Sequence, residues 1–510
     1  MSSAAANAAD LHATLKVGLE VHVELATQTK MWSPAPNVAH PDHAGSPPNT
    51  LLDAVTIGLP GTLPVINRQA VEMSIKVGLA LNCKIASFTK WDRKSYYYPD
   101  LPKNYQISQY DLPLCYDGAV DIKVDDGSGN LPNPGTKRIG ITRAHLEEDA
   151  GKLMHEAPGG GVIDHSIVDL NRAGTPLLEI VTEPDFSSAD EVETFCRWLR
   201  DLVRHLGVSE AVMEQGQIRF EPNINMLIER GGELFKTPVV EIKNLNSFAA
   251  VRGAIEYEQR EQVKRWLDDG KVMGARAKST RGWDDAKRVT VMQREKEDAD
   301  EYRYFPDPDL VPVTVDEAWV ERVRSEMAEP PDKVLDRLRS AGVEEKEAVA
   351  IVDDPALTRF FTACDALIGD PKGTAKLLLN VGAKHANERG VSVGALGITP
   401  EQVKGIVDLL DADKVSSTGA DKLFALCADS DDPAEAIAEQ AGLMQVSDTG
   451  ALEGYVQTVI DDPKNAKAIA DIQGGKDKAV GALLGQVMKL SGGAANPKLV
   501  RDLVIAKVRG

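Results

Sequence analysis

The most regular pattern in the sequence is an alternation of apolar and polar residues, which is typical of β-strands with one buried face. In residues 15–25, the polar face of such a strand carries Glu20, His22 and Glu24. In residues 217–226, the polar face carries a guanidinium, a carboxylate and amides, from Gln217, Arg219, Glu221, Asn223 and Asn225. If a third strand runs as far as residue 243, Glu241 and Lys243 share its face. The pattern therefore predicts several strands with strongly polar faces.

Residues 139–185 concentrate acidic side chains beside Arg143, His145 and Arg172. The acidic residues are Glu147, Glu148, Asp149, Glu179, Glu183 and Asp185. Carboxylates at this density repel one another unless a cation lies among them, and hard oxygen ligands suit Mg²⁺ together with a substrate phosphate. For any single one of these acids, a solvated surface position is the better interpretation. Only the whole set, joined to the polar strand faces, indicates a site.

Helical spacing of apolar residues predicts helices over residues 190–206 and 248–268, and again in the Ala- and Leu-rich sequence beyond Pro312. A chain of 510 residues is too long for one core. We expect an α+β protein whose parts are a disordered tail (1–14), a domain with a mixed or antiparallel sheet (15–305), an all-helical linker domain (306–410) and a helical tail domain (411–510).

Composition excludes several classes of protein. No apolar run is long enough to span a membrane, so no membrane partner is expected. The five cysteines are scattered without a CxxC pair, which indicates a reducing cytoplasm and argues against a zinc site or disulfides. The net charge of −20 argues against extensive nucleic-acid binding, and no DNA partner is expected.

The C-terminal residues 464–510 depart from this balance, with nine Lys/Arg and three acidic residues. Such a basic segment could contact a phosphate backbone, or could be an ordinary helix surface, and spacing alone favours neither. Residues 91–110 hold five of the ten tyrosines, near Lys94. These rings could line a channel or stack on a base, although packing beneath a proline-rich loop is the simpler interpretation.

The sequence contains no GxxxxGK[ST] phosphate loop, no GxSxG nucleophile motif and no amidase or glutaminase signature. Nothing therefore indicates covalent catalysis by the chain itself. Polar strand faces of Glu, His, Arg and Lys fit metal-assisted phosphoryl transfer, in which positioning and charge stabilisation do most of the catalysis. Metal-dependent hydrolases use similar sets of residues.

Six segments closely resemble the B subunits of tRNA-dependent amidotransferases, the GatB family. They are GLEVHVEL (18–25), WDRKSYYYPDLPKNYQISQ (91–109), HLEEDAGK (145–152), DLNRAGTPLLEIVTEPD (169–185), VEIKNLNSF (240–248) and YRYFPDPDL (302–310). The resemblance runs from about residue 15 to the C-terminus. It implies a catalytic cradle related to the glutamine synthetase fold, a helical linker and a YqeY-type tail domain that contacts misacylated tRNA.

The reaction implied by this resemblance has two steps. ATP phosphorylates the side-chain carboxylate of misacylated Glu-tRNA(Gln) or Asp-tRNA(Asn), and ammonia then displaces phosphate to give Gln or Asn. The implied partners, in a heterotrimer, are an amidase (glutaminase) subunit, which supplies ammonia through a channel, and a small third subunit. The implied cofactor is Mg²⁺. The absence of a glutaminase signature agrees with this division of labour.

The resemblance also implies roles for individual residues. Metal ligands fall on His22, Glu148 and Glu179, with Glu20, Glu221 and Glu241 around a second position. Glu148 and Glu179 would be catalytic through the metal, and Lys94 would line the ammonia path. From charge and facing, Arg219 and Lys243 are our own predictions for catalytic contacts to the phosphates of ATP. A regular strand places Glu147 and Glu148 on opposite faces, and only the resemblance selects Glu148.

The chain departs from the family pattern at two places. Many members carry a zinc site of two CxxC pairs across the region corresponding to residues 33–58, where this chain has Ser33, Pro34, Pro36 and Asp53. We therefore predict no zinc. Glu221 stands where the family usually has aspartate, so its carboxylate extends farther from the strand. Two other hypotheses are a tRNA-binding scaffold without chemistry of its own and a metal-dependent hydrolase acting alone.

Overall fold

The computed structural model describes residues 11–124, 135–157, 160–274, 277–295, 302–445, 449–491 and 495–509. The chain forms two compact units, Met1–Pro331 and Asp332–Gly510. Within these described ranges, the first unit combines a large sheet with four α-helices, and the second is built from helices.

The strands are β1 (Leu11–Glu24), β2 (Lys84–Ile85), β3 (Phe88–Thr89), β4 (Asp92–Ser95), β5 (Tyr105–Ser108), β6 (Cys115–Val124), β7 (Gly135–Glu148), β8 (Lys152–Ala157), β9 (Gly161–Asp169), β10 (Pro176–Thr182), β11 (Ile218–Arg230), β12 (Glu233–Lys236), β13 (Val240–Lys243), β14 (Ser279–Asp284), β15 (Val289–Glu295), β16 (Phe305–Pro306) and β17 (Val313–Thr314). The helices of the first unit are α1 (Arg68–Ala80), α2 (Ala189–His205), α3 (Phe248–Asp269) and α4 (Glu317–Ser325).

The helices of the second unit are α5 (Pro331–Ser340), α6 (Glu345–Asp353), α7 (Pro355–Ile368), α8 (Pro371–Lys376), α9 (Ala383–Arg389), α10 (Pro400–Asp411), α11 (Ser417–Cys427), α12 (Ala434–Gln440), α13 (Thr449–Asp461), α14 (Ala466–Gln473), α15 (Val480–Leu490) and α16 (Pro497–Arg509). A π-helical turn, Leu377–Gly382, joins α8 to α9.

Thirteen of the described strands form one sheet. Its main path runs β15-β14-β13-β11-β1-β10-β7-β5-β4-β16, with β12 beside β11, β6 beside β7 and β2 beside β6. The described pairs in this sheet are antiparallel, apart from the parallel pair of β13 and β14. The predicted α+β class, with a mixed and mainly antiparallel sheet followed by helices, is confirmed.

The apolar face of the sheet is covered by α1, α2 and α3. Side chains at alternate positions of β1, such as Val21 and Val23, join Phe195 of α2 and Val251 of α3 in one buried cluster. A serine or asparagine at the N-cap of each of these helices accepts a backbone N–H bond, which fixes where the helix begins; the caps are Asn67, Ser188 and Ser247. The polar side chains of the same strands consequently point away from the helices.

The predicted helices over residues 190–206 and 248–268 are confirmed as α2 and α3, and the polar strands are confirmed as β1, β11 and β13. The predicted disordered tail is too long, because β1 begins at Leu11 and pairs with β11 from that residue onward. The rest of that predicted tail, residues 1–10, lies outside the described residues. The predicted domain boundaries at residues 306 and 411 stay predictions.

The second unit contains two hydrophobic clusters. One involves α5 to α12 and includes Phe361, Leu409 and Phe424, and the other involves α13 to α16 and includes Leu452 and Val504. None of the helices in the described ranges combines the length and the apolar character of a membrane span.

The buried side chain of Lys30 should make the stability of the protein depend on pH. Its side chain is 1% exposed and its Nζ donates hydrogen bonds to the carbonyls of Asn171, at 2.7 Å, and Ala173. Burial, partly offset by the charges of Asp53 and Glu148, lowers the pKa of Lys30 from 10.5 to about 8. Between these two values the unfolded chain holds a proton that the folded chain has released, so stability increases with pH.

We expect the free energy of unfolding of the wild type to rise by about 2 kcal/mol between pH 8 and pH 10, relative to Lys30→Met. Urea unfolding of both proteins at several pH values measures this difference. Lys76→Met, at a half-buried lysine of α1, is the control and should follow the wild type. Identical pH dependence in the wild type and in Lys30→Met would contradict the prediction.

Candidate active site

Three neighbouring strands bring one imidazole and two carboxylates together on the polar face. They are His22 of β1, Glu179 of β10 and Glu147 of β7, and one ligand atom from each lies within 4.8 Å of the others. The strand register explains why these side chains are close. His22 lies opposite Glu179 of β10, and Glu147 lies opposite Leu177, which is two residues before Glu179 and on the same face of β10. The closest approach joins Nε2 of His22 to Oε2 of Glu179, at 3.4 Å. We call these three residues the histidine cluster.

A second group of carboxylates lies beside the first. Glu20 of β1, Glu221 of β11 and Glu241 of β13 also place one oxygen each within 4.8 Å of the others, and we call them the glutamate cluster. The Lys243 ammonium lies 2.7 Å from Glu221 and 3.2 Å from Glu241. The clusters adjoin, because Nδ1 of His22 is 3.9 Å from Oε1 of Glu221.

The charges of the histidine cluster perturb one another strongly. Burial alone would lower the pKa of His22, but the hydrogen bond to Glu179 and the charge of Glu221 outweigh it and raise this pKa to about 9. Burial would raise the pKa of Glu179, but the positive charges of His145 and His22 hold it well below its usual value. Without a metal, the His22 imidazolium thus supplies positive charge between carboxylates that would otherwise repel each other, and a cation that binds a ring nitrogen of His22 has to displace a proton from it.

Glu148, predicted as a metal ligand, lies on the other face of the sheet. It shares that face of β7 with the buried residues Ala144 and Leu146, and it is 1% exposed. Its carboxylate accepts hydrogen bonds from Nζ of Lys103, at 2.6 Å, and from the backbone N–H of Ile107, at 2.9 Å. Because side chains alternate along a strand, Glu147 reaches the histidine cluster in place of Glu148.

Arg219 lies at one end of the polar face, where it pairs with a buried acid. Its Nη1 donates to Oδ2 of Asp149 at 2.8 Å, and Asp149 is also 3.7 Å from Arg172. Burial would raise the pKa of Asp149, but the two guanidinium groups hold it far below its usual value. Beside it, burial and the charge of Asp149 raise the pKa of Glu24 to about 8. Arg219 therefore lies within reach of the histidine cluster but is anchored by Asp149.

Lys94 of β4 lies beside Glu147 in a cavity of about 280 Å³ that is lined by tyrosines. Its ammonium is 5.0 Å from the ring centroid of Tyr302, and the rings of Tyr110 and Tyr304 stack at 4.2 Å. Burial would lower the pKa of Lys94, but the charges of Glu147 and the other acids raise it above its usual range. We call this space the tyrosine cavity.

The donor groups of the histidine cluster fit a divalent cation. Nδ1 of His22 is buried and has no hydrogen-bond partner among the described residues, although a region rich in carboxylates surrounds it. One imidazole and two carboxylates are ligands that Mg²⁺ or Mn²⁺ accept. The glutamate cluster offers only carboxylates, and the Lys243 ammonium already neutralises part of their negative charge.

Asp53 lies in the segment where no zinc is predicted, and its carboxylate accepts hydrogen bonds from the backbone N–H and the hydroxyl of Thr56.

The structure brings together most of the predicted site residues. Those on the polar face are Glu20, His22, Glu179, Arg219, Glu221, Glu241 and Lys243, with Lys94 at its side. The choice between Glu147 and Glu148 could have been made from the sequence, because Glu148 follows the buried alternation of Ala144 and Leu146. Tyr110 stacks on Tyr304, which is far away in the chain, and no pattern of neighbouring residues in the sequence indicates this contact.

Two family profiles match the sequence. The GatB/GatE catalytic domain matches residues 15–321 and thus covers the polar sheet face, and the GatB domain matches residues 359–508. Similar whole proteins are aspartyl/glutamyl-tRNA(Asn/Gln) amidotransferase B subunits from several bacteria. The one from Rhodopirellula baltica is 41% identical over 494 residues, which is 96% of each chain.

The relative from Geobacillus thermodenitrificans is 42% identical over 493 residues, covering 96% of this chain and 98% of its own. The relative from Caldanaerobacter subterraneus subsp. tengcongensis is 42% identical over 489 residues, with the same coverage. Identity of this extent, together with the two profiles, shows that the chain belongs to the family of aspartyl/glutamyl-tRNA(Asn/Gln) amidotransferase B subunits.

Proposed function

We propose that this chain carries out the ATP-dependent transamidation of misacylated Glu-tRNA(Gln), Asp-tRNA(Asn) or both, giving Gln-tRNA(Gln) and Asn-tRNA(Asn). The proposal agrees with the names of its relatives, which are aspartyl/glutamyl-tRNA(Asn/Gln) amidotransferase B subunits. The observation that carries it is the pair of adjoining ligand clusters, bordered by lysines and an arginine, on one sheet face. A site of this kind suits a reaction that gathers negative charge.

The first step converts a poor leaving group into a good one. A carboxylate oxygen of the misacylated amino acid forms a bond to the γ-phosphorus of ATP, and the bond from that phosphorus to the bridging oxygen of ADP breaks. Ammonia then attacks the carbonyl carbon of the acyl phosphate, loses a proton and expels phosphate. The chain's residues have to hold the carboxylate and the triphosphate close together in the first step, and the departing phosphate in the second.

His22, Glu147 and Glu179 would hold one Mg²⁺, and Glu20, Glu221 and Glu241 surround a second position. When bound, Mg²⁺ neutralises phosphate oxygens and favours charge transfer to the leaving group. Lys243, bonded to Glu221 and Glu241, can turn its ammonium toward a phosphate without leaving its carboxylates. Arg219 can offer its remaining N–H groups, since Asp149 engages only part of the guanidinium.

Lys94 suits the path of ammonia. Its raised pKa keeps it charged, because Glu147 and the nearby tyrosines favour the ammonium form more than burial opposes it. A fixed positive charge repels ammonium ions and leaves neutral ammonia free to pass, and only neutral ammonia is a nucleophile. Lys94 would therefore select the reactive form next to the histidine cluster.

We propose further that the chain works in the cytoplasm, in a heterotrimer whose other members are an amidase (glutaminase) and a small third subunit. The chain offers no glutaminase signature, so a partner has to release ammonia from glutamine. The basic residues within 464–510 support a tRNA contact by the C-terminal domain. The five cysteines are buried free thiols, which suits a reducing compartment.

A comparison of Glu147→Gln with Glu148→Gln tests the assignment of the metal ligand. In the complex with the amidase and small subunits, we expect Glu147→Gln to lower tRNA-dependent phosphate release from labelled ATP by roughly 100-fold, because a first ligand matters at least as much as the outer partners that cost 10–100-fold. Its melting temperature should fall as well, because Lys94 and His145 lose a charged neighbour, so phosphate release is measured at a temperature where the variant is folded.

Glu148→Gln is the matched control, because it makes the same change one residue away on the opposite face. It should lower the melting temperature, since it leaves the Lys103 ammonium without its buried partner. At a temperature where it is folded, its phosphate release should stay within a few-fold of the wild type. Loss of activity in folded Glu148→Gln, with Glu147→Gln fully active, would restore Glu148 as the ligand and contradict the proposal.

A further inference from the structure

Residues 302–310 run along one edge of the large sheet, and we call this segment the strap. Its strand β16 pairs with β4 at two positions, and one of them is Pro306, which has no backbone N–H to donate. A further backbone bond runs from the N–H of Asp307 to the carbonyl of Trp91, at 2.9 Å. Backbone pairing alone therefore holds the strap weakly.

Side chains hold the strap more firmly, through Arg93 of β4. Its Nε donates to Oδ2 of Asp307 at 2.8 Å, and its Nη2 donates to Oδ2 of Asp309 at 2.7 Å. The Asp307 side chain is fully buried, and a buried carboxylate needs a charged partner. The guanidinium carbon of Arg93 also lies 4.3 Å from the ring centroid of Tyr105 in β5. Arg93 therefore ties the strap to the two neighbouring strands.

The strap places different side chains on the two faces of the sheet edge. Arg93 lies opposite Phe305, and the guanidinium carbon is 5.9 Å from the Phe305 ring, so these side chains share one face. The adjacent residues on the two strands, Lys94 and Tyr304, both line the tyrosine cavity. The contacts that anchor the strap are thus on one face, and the rings that it contributes to the cavity are on the other.

The rings of the strap form one wall of the tyrosine cavity. Tyr304 stacks on Tyr110, with planes 11° apart, and Tyr302 meets Tyr304 edge to face at 6.1 Å. Between the two rings, Arg303 has a φ of +49°, a left-handed conformation that residues with a Cβ rarely adopt. Strain of this kind persists only where the surrounding structure enforces it. The wall therefore depends on the anchoring of the strap by Arg93.

The proposed reaction needs a wall at this place, because an acyl phosphate reacts with water as well as with ammonia. When a water oxygen attacks the carbonyl carbon, phosphate leaves, the carboxylate is restored, and ATP is consumed without forming an amide. The tyrosine cavity, of about 280 Å³, is large enough for several water molecules and is also lined by Glu147 and Glu179. Bulk water that entered it would reach the histidine cluster.

We propose that Arg93 is a positioning residue that keeps the strap closed over the tyrosine cavity, so that ammonia rather than bulk water meets the acyl phosphate. This inference rests on the proposed transamidation and adds a residue that controls how fully ATP cleavage is coupled to amide formation. Arg93 acts from the other face of the sheet edge, through Tyr302 and Tyr304. Without it, the Asp307 carboxylate loses its buried cation, the strap detaches and water enters.

The test is the amount of amide formed per phosphate released by the complex with the amidase and small subunits, supplied with MgATP, glutamine and Glu-tRNA(Gln). We expect Arg93→Ala to lower this ratio by roughly 10-fold, which corresponds to about 1.4 kcal/mol in the competition between ammonia and water. Added ammonium chloride should restore the ratio, because more ammonia then competes with water. If Arg93→Ala does not fold, Asp309→Asn, at a side chain that is 34% exposed, should lower the ratio in the same way.

Arg252→Ala is the matched control, because Arg252 also joins two acids, Glu193 at 2.6 Å and Asp190, but it links α3 to α2. Its ratio should equal that of the wild type. Folded Arg93→Ala with a wild-type ratio, or with a low ratio that ammonium chloride does not restore, would overturn the inference and leave the proposed function intact. If the wild-type complex neither cleaves ATP nor forms the amide, the proposed function fails as well.

Discussion

Repulsion among five carboxylates on one face of a sheet is the interaction on which the rest of this site depends. Glu20, Glu147, Glu179, Glu221 and Glu241 lie in two adjoining clusters, and within each cluster the ligand atoms are within 4.8 Å of one another. Two like charges at 4 Å repel by about 4 kcal/mol at the effective dielectric constant near a protein surface. The chain meets this cost in part with the His22 imidazolium and the Lys243 ammonium. The two clusters still carry a net negative charge, which would favour the binding of a divalent cation on this face.

The opposite face of the same strands prevents this repulsion from relaxing. Alternate residues of β1, β10 and β11 are packed into a core with α2 and α3, so the strands cannot spread apart without exposing it. The hydrophobic effect on the buried face of the sheet therefore fixes the positions of the strands, and the ligand clusters lie on the opposite, polar face. A shift of one residue in the register of β7 would exchange Glu147 with Glu148, which shows how strictly the core fixes the chemistry.

Much of this arrangement could be predicted from the sequence, because it follows from local patterns. Alternation in residues 15–25 and 217–226 identified the polar strands and placed His22, Arg219 and Glu221 on their faces. The same rule applied to Ala144 and Leu146 places Glu148 on the buried face, whereas the resemblance selected Glu148 as a metal ligand. Periodicity also located both ends of α2 and of α3 to within one residue.

The rest depends on contacts between distant residues, which local patterns do not determine. The order of strands decides that Glu147 joins His22 across β10, and that Tyr304 stacks on Tyr110. The pairing of Asp149 with Arg219 likewise joins separate segments. A single sequence shows the charges of these residues but not their partners.

Locating a bound cation tests the proposed metal site most directly. Crystals of the complex grown with Mn²⁺, which replaces Mg²⁺ in oxygen-rich sites and scatters anomalously, would show where the ion lies. We expect an anomalous peak bonded to His22, Glu147 and Glu179, with Glu148 still paired to Lys103. A peak bonded to Glu148, or no ordered ion among the carboxylates at saturating Mn²⁺, would contradict it.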